Sequence, residues 1–265
     1  EQDFTLIGTT DQEHDGDPAT PRCSEAERDY LLSFANNYFR RSLSAADVVC
    51  TYSGVRPLYD DGASSATAAT RDYVLKLYAD GAPLLNIFGG KITTYRHLAE
   101  EVVDQVTQRL GMKTAPCTTA ELALPGGAGH REQILAALAL VPGLSESSQA
   151  HLYAVYGARA LAVVALVHDA PELAAQVCIW SGAIAAEVVF AVREEFAHSL
   201  ADVLLRRCMA GLSPDLGRGA LQAALPVAAR YLGWDATRLT AEKEACEREI
   251  GILACLRSSQ PVSGC

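Results

Sequence analysis

The sequence predicts an α+β protein, in which a partial sheet is followed by an all-helical C-terminal domain. β-Branched and aromatic residues form short runs before residue 100, and a segment rich in Gly and Pro begins near residue 112. Beyond that segment, Ala, Leu, Glu and Arg dominate, and these residues favour helices. We therefore predict two domains, residues 1–112 with the sheet and residues 113–265 with helices only.

The first domain is predicted to open with strands on either side of a helix. Phe4–Thr10 and Val48–Tyr52 are rich in β-prone residues, which predicts two strands. Ser24 and Glu27 have the spacing of a capping box and predict a helix start. We expect this helix to pack on the sheet through one face, formed by Tyr30, Leu31, Phe34 and Tyr38.

A second pair of strands leads into a glycine corner. Asp72–Leu77 and Leu84–Phe88 are predicted to pair antiparallel, and apolar residues then recur at helical spacing from Tyr95 to Leu110. Between strand and helix lies Gly89-Gly90-Lys91. Glycine allows close approach of a ligand, and helix N–H groups with a lysine suit an anion or an electron-rich carbonyl. The alternative is an ordinary turn with a solvated lysine.

Two arginines accompany the strands of this domain. Arg56 is set between Gly54 and Pro57, which favours an extended backbone, and Arg71 begins the next predicted strand. Two guanidinium groups can bind a phosphate or carboxylate bidentately. The alternative is a pair of surface ion pairs with neighbouring aspartates, Asp60, Asp61 or Asp72.

The second domain is predicted to contain seven helices separated by Pro and Gly. Alternating charges around Arg193 and Asp202 indicate ion pairs between helices rather than catalysis. The predicted helices are Gln133–Leu140, Ser147–Tyr156, Ala158–Val167, Ala183–Phe196, Leu200–Met209, Gly219–Leu232 and Thr240–Leu256.

Composition argues against several classes of partner. A net charge of −10 argues against binding to nucleic acid. The longest apolar runs, Ala160–Val167 and Val188–Val192, are shorter than the roughly 20 residues of a membrane span, so we expect no transmembrane segment. The eight cysteines are dispersed without a C-x-x-C motif, which predicts free thiols and no metal site.

The motifs, taken together, resemble one family. Phe4–Asp11, Tyr52–Asp61, Thr70–Leu75 and Gly89–Arg96 resemble, in this order, the flavin-dependent glycerol-3-phosphate dehydrogenases and their oxidase relatives, of the D-amino-acid-oxidase-like superfamily. The resemblance covers nearly the whole chain, since it continues through Leu124–Gly127, Tyr156–Gly157, Val192–Phe196 and Asp202–Arg207.

The resemblance implies roles for particular residues. It implies that residues 1–112 are the C-terminal part of a catalytic domain that binds FAD and substrate. Arg56 and Arg71 are then expected at the substrate, and Lys91 is expected to stabilise the reduced flavin. The full set expected at FAD is Gly89, Gly90, Lys91, Ile92 and Thr93.

Other parts of such an enzyme are expected outside this chain. The sequence has no G-x-G-x-x-G fingerprint, and none of its six histidines lies in the motifs, so no catalytic base is assigned here. We expect the C-terminal portion of an enzyme that oxidises sn-glycerol 3-phosphate to dihydroxyacetone phosphate and passes electrons through FAD to a quinone. A missing N-terminal half is expected to supply the base and the dinucleotide fold.

The same resemblance suggests a cytoplasmic protein at the inner face of a membrane and leaves a homodimer open. Two alternatives to quinone-linked dehydrogenation also stay open. One is an oxygen-using glycerol-3-phosphate oxidase. The other is a stand-alone helical module for binding or regulation, without activity.

Overall fold

The computed structural model describes residues 4–59 and 72–254. Within them the chain forms two compact units, each described by itself below. The helical unit comprises 4–8, 23–52 and 123–254, and the hairpin unit comprises 9–22, 53–59 and 72–122. The two units thus interleave along the sequence, and the domain division at residues 112 and 113 stays a prediction.

The hairpin unit contains the described sheet and one long helix. Strands β1 (Val74–Tyr78) and β2 (Leu84–Phe88) pair antiparallel, with Val74 opposite Phe88. A 3-10 turn over Ile92–Thr94 then leads into α2 (Tyr95–Arg109). The predicted order of strand, strand, glycine corner and helix is therefore confirmed.

The helical unit confirms the α+β class, because its helices account for nearly all of its regular structure. The segment predicted as a helix over Leu200–Met209 instead forms a π-helical turn over Asp202–Arg207. The α-helices of this unit are α1 (Glu25–Asn36), α3 (Arg131–Ala139), α4 (Glu146–Tyr156), α5 (Ala160–Asp169), α6 (Ala185–Glu194), α7 (Arg218–Leu232) and α8 (Ala236–Leu253).

The core of the helical unit forms around α5 and α6. Val163 on α5 and Val188 on α6 are fully excluded from solvent, as are Leu138, Leu204 and Leu221. Complete burial of one such side chain contributes about 1.5–3 kcal/mol, so the packed helices hold this unit together.

Two predicted strands are wrong, because neither has a strand beside it in the described chain. The Thr51 N–H donates instead to the Leu253 carbonyl at the end of α8, 3.1 Å away, and Val49 and Cys50 pack against the helical core. Phe4–Thr10 also forms no strand. A run of β-branched residues indicates only a local preference for extended backbone, whereas a strand also needs a neighbouring strand with which to pair.

The capping box of α1 is confirmed, but its predicted packing on a sheet is wrong. The Ser24 hydroxyl accepts from the Glu27 N–H, and the Glu27 carboxylate accepts from the Ser24 N–H. The aromatic face is largely exposed, since Tyr30, Phe34 and Tyr38 remain accessible and Ala35 alone on α1 is buried.

Residues 146–169 are long and apolar enough for a membrane span by length and composition alone. Core helices of soluble proteins pass the same test, and 39% of the most apolar window is buried inside the protein. The α-helix also stops within this stretch, because Gly157 has φ 56° and ψ −128° between α4 and α5. The expected absence of a transmembrane segment stays a prediction.

The break at Gly157 joins two of the motifs that carried the resemblance. A Cβ at Gly157 would lie 2.2 Å from the Gly126 carbonyl oxygen, so a side chain there is excluded. The Ala158 N–H donates to that same oxygen at 2.9 Å. Leu124–Gly127 and Tyr156–Gly157 therefore form one tight backbone contact, which explains the glycines structurally.

Candidate functional site

The glycine corner brings three segments of the hairpin unit together. Gly89 and Gly90 have φ 68° and 105°, a region that favours glycine. A Cβ at Gly89 would lie 3.1 Å from the Asp72 carbonyl oxygen and 4.0 Å from that of Pro57. The backbone directly after Arg56, at Pro57, and the backbone of the second arginine motif, at Asp72, therefore both approach Gly89.

Lys91 follows the glycines and presents its side chain to solvent. Its carbonyl accepts from the Thr94 N–H at 3.0 Å and from the Thr94 hydroxyl at 3.2 Å, which fixes the start of the turn. Thr94 occupies the N-cap position of α2, but its hydroxyl donates to the Lys91 carbonyl instead of accepting from an N–H of the first turn. The lysine forms no ion pair with any residue of 4–59 or 72–254.

Arg56 is held weakly by a single carboxylate. Its Nη1 donates to Asp11 Oδ2 at 3.1 Å, and both side chains are about half exposed. Such an exposed pair contributes about 0–1 kcal/mol, so a doubly charged phosphate can displace the carboxylate at small cost. An ion pair is thus present, with Asp11 as the acid. The neighbouring Asp60 and Asp61 lie outside the described residues. Arg71 lies outside the described residues.

The chemistry of this corner fits the redox ring of a flavin. Ile92 is 87% exposed and offers an apolar contact, and Lys91 offers a positive charge. The first N–H groups of a helix lack intrahelical acceptors, so those of Ile92 and Thr93 can donate to a ligand. An apolar surface beside a cation and N–H donors matches a flat ring with an electron-rich carbonyl edge. No candidate metal cluster occurs in the described part of the chain.

A buried polar pair in the helical unit was missed by sequence reasoning. His151 is 6% exposed, and its Nε2 lies 3.0 Å from Glu187 Oε2. Glu187 is fully buried, and its Oε1 accepts from the Ile184 N–H at 2.8 Å. This carboxylate therefore joins α4 to the start of α6, which is a structural role.

Two other groups in the helical unit are also explained by packing. A groove of about 480 Å³ is lined by Arg159, Leu166, Phe190 and Arg193 among others. Both of its arginines have partners, since Arg159 pairs with the Glu195 carboxylate and Arg193 donates to the Tyr231 carbonyl. The groove thus offers no open anion site. The six described cysteines are all free, as predicted.

Comparison with known proteins finds relatives over most of the chain. Residues 1–96 match the FAD dependent oxidoreductase family, and residues 117–239 match the C-terminal domain of alpha-glycerophosphate oxidase. The chain is 38% identical, over 92% of its length, to a glycerol-3-phosphate dehydrogenase from Synechocystis sp.. It is 39% identical, over 79% of its length, to the aerobic glycerol-3-phosphate dehydrogenase of Escherichia coli.

The chain belongs to the FAD-dependent glycerol-3-phosphate dehydrogenase family. The predicted resemblance is therefore confirmed, and FAD is the cofactor of this family. Family members include a D-erythritol 1-phosphate dehydrogenase from Brucella abortus, which is 38% identical over 78% of the chain.

This chain spans only part of such relatives, 44% of the Synechocystis protein and 42% of the Escherichia coli protein. The roles predicted for Arg56, Arg71 and the Gly89–Thr93 segment stay predictions and enter the proposal below.

Proposed function

We propose that the protein containing this chain oxidises sn-glycerol 3-phosphate to dihydroxyacetone phosphate with FAD. The observation that carries the proposal is the meeting of segments at Gly89, where the backbones after Arg56 and after residue 71 approach the glycine corner. Names of relatives that are 38–39% identical support the same reaction. When bound, FAD accepts the hydride that leaves C2 of the substrate.

The proposal gives each part of the corner a separate task. Arg56 and Arg71 bind the phosphate of the substrate, and Arg56 gives up its weak pair with Asp11 to do so. Gly89 and Gly90 leave room for the ring. Lys91, with the N–H groups of Ile92 and Thr93, stabilises the negative charge that develops on reduction. The group that accepts the substrate proton is expected on a preceding part of the polypeptide.

A second substrate of the same class is D-erythritol 1-phosphate. The specific observation is the 38% identity to the Brucella abortus enzyme, which equals the identity to the Synechocystis dehydrogenase. Both substrates are polyol phosphates with a secondary hydroxyl, and two arginines recognise the phosphate that they share. The longer carbon chain of erythritol phosphate then has to be accepted or rejected by other residues.

Anaerobic mixing of the FAD-loaded enzyme with each polyol phosphate tests the proposal. We expect glycerol 3-phosphate to bleach the visible absorbance of the oxidised flavin faster than D-erythritol 1-phosphate does at equal concentration. Faster bleaching by erythritol phosphate would select the second substrate. Absence of bleaching by both would reject the proposal.

The electron acceptor is proposed to be a quinone in a membrane, at whose inner face the protein would attach peripherally. Stepwise addition of oxygen and of a soluble quinone to the reduced enzyme separates the two acceptors. Fast reoxidation by quinone supports the dehydrogenase, whereas fast reoxidation by oxygen supports the oxidase. If the 265-residue chain is stable and monomeric without bound flavin, this result would instead favour the helical binding module. A homodimer and the missing N-terminal half are part of the same proposal.

A further inference from the structure

Tyr59 connects the Arg56 segment to the strand that ends at the glycine corner. Its ring packs against the Phe88 ring, with centroids 5.4 Å apart and planes inclined by 51°. Phe88 is the last residue of β2 and directly precedes Gly89. One aromatic contact therefore links the chain three residues after Arg56 to the residue before the corner.

Strand β1 holds the same tyrosine from a second side. The Lys76 Nζ lies 4.7 Å from the centroid of the Tyr59 ring. Lys76 is opposite Asn86, and Val74 is opposite Phe88, so Lys76 and Phe88 lie on one face of the hairpin. Interaction with the Tyr59 hydroxyl also raises the pKa of Lys76. Both strands thus contribute to fixing this ring.

The segment before Tyr59 has little other support. Residues 52–57 are exposed and belong to no helix or strand, whereas Leu58 and Tyr59 are half-buried. Among the described residues, the Arg56 side chain pairs with Asp11 alone, and this pair is exposed to solvent. Pro57 restricts the backbone between Arg56 and the ring. A displacement of the Tyr59 ring would therefore also displace Arg56.

We propose that Tyr59 is a positioning residue for the substrate site, which holds Arg56 in place beside Gly89–Lys91. This inference rests on the proposed function, because it takes Arg56 as a ligand of the substrate phosphate. Tyr59 acts through Arg56 and touches neither substrate nor cofactor. The hairpin face formed by Lys76 and Phe88 is the support that fixes the ring.

Backbone ¹⁵N relaxation of the 265-residue chain tests the positioning without any activity. A rigid amide has an order parameter of about 0.85 and a flexible one falls below about 0.6. We expect the Arg56 amide to lose order in Tyr59→Ala and to keep it in Tyr59→Phe, which retains the ring. Tyr78→Ala is the matched control, because Tyr78 is on the same strand as Lys76 but at the far end of the hairpin. An unchanged order parameter in Tyr59→Ala would overturn the proposal.

Steady-state kinetics of the FAD-loaded enzyme tests the consequence for the substrate. An aromatic pair contributes about 0.5–1.5 kcal/mol, so Tyr59→Ala is expected to raise KM for glycerol 3-phosphate by roughly 3- to 10-fold, with a smaller change in kcat. Tyr59→Phe is expected to restore most of this loss. In an Arg56→Ala background, Tyr59→Ala is expected to add nothing, because its effect passes through Arg56.

Failure of the role proposed for Arg56 and failure of the role proposed for Tyr59 give different results. If Arg56→Ala leaves KM unchanged, the proposed role of Arg56 fails, while the order parameter still decides whether Tyr59 fixes the segment. If Arg56→Ala raises KM but Tyr59→Ala raises it by the same factor in both backgrounds, Tyr59 does not act through Arg56 and the inference is overturned.

Discussion

Removal of the buried Glu187 carboxylate is expected to destabilise the helical unit strongly. Glu187→Ala deprives the Ile184 N–H of its acceptor at 2.8 Å and leaves His151 without its partner at 3.0 Å. Both Glu187 and His151 are buried, so solvent cannot replace these bonds at full strength. Loss of one partner from a buried pair costs about 3–5 kcal/mol.

Glu187→Gln is expected to cost less, about 1–2 kcal/mol, because its side-chain oxygen still accepts from the Ile184 N–H. The matched control is Glu194→Ala on the same helix, since Glu194 is exposed and its loss is expected to stay within about 0.5 kcal/mol. These differences separate the charge at position 187 from any general effect of shortening a glutamate on α6.

Urea unfolding followed by circular dichroism at about 222 nm gives the free energy of unfolding of each variant. At 2–4 °C per kcal/mol for a chain of this size, the loss in Glu187→Ala corresponds to a fall in Tm of about 10 °C. If the unfolding free energies of Glu187→Ala and Glu194→Ala agree within about 1 kcal/mol, the assignment of Glu187 as the link between α4 and α6 is refuted.

Three further predictions concern backbone strain at positive φ, the buried Tyr156 hydroxyl and the stability of the protein at acid pH. Phe196 has φ 55° and is 84% exposed, so Phe196→Gly is expected to raise the thermal midpoint by relieving about 1 kcal/mol of strain, whereas Leu216→Gly (φ 56°, 1% exposed) is expected to lower it. The Tyr156 hydroxyl is buried without a hydrogen-bond partner in the described chain, so Tyr156→Phe is expected to stabilise by about 1 kcal/mol in urea unfolding, and destabilisation would reveal a partner. Burial alone would raise the pKa of Asp215, but hydrogen bonds from the Gly219 and Gly217 N–H groups and from the Ser213 hydroxyl lower this pKa overall. The stabilisation by Asp215 is therefore complete above the unfolded pKa of about 3.9 and is lost as the pH falls further. Asp215→Asn is expected to flatten the dependence of the unfolding free energy on pH in this acid range.

The hairpin and the helices were predictable because their signals are local. Alternation in Asp72–Leu77, a run of apolar residues before Gly89, and helical spacing after Tyr95 each occupy a few consecutive residues. The segment Val48–Tyr52 carried an equally strong local signal, yet Thr51 bonds to Leu253, far along the sequence. Such a partner cannot be inferred from propensity.

The residues of the candidate site could be predicted from the sequence, but the contacts between them could not. Gly89 and Lys91 stand out because two glycines and a cation begin a helix, but the approach of Asp72 and Pro57 to Gly89 depends on the fold. Asp11, the partner of Arg56, lies 45 positions away. Glu187 had one visible signal, as the only charged residue within the apolar run from Ala183 to Val192.

The midpoint potential of the bound flavin in Lys91→Met tests the central claim most directly, because the claim requires a positive charge at the glycine corner beside the ring. Loss of a cation that contributes about 1.4 kcal/mol to the reduced form makes the two-electron potential about 30 mV more negative. Lys113→Met, a lysine outside the corner, serves as the control. The account predicts a negative shift of this size in Lys91→Met alone, and an unchanged potential would contradict it.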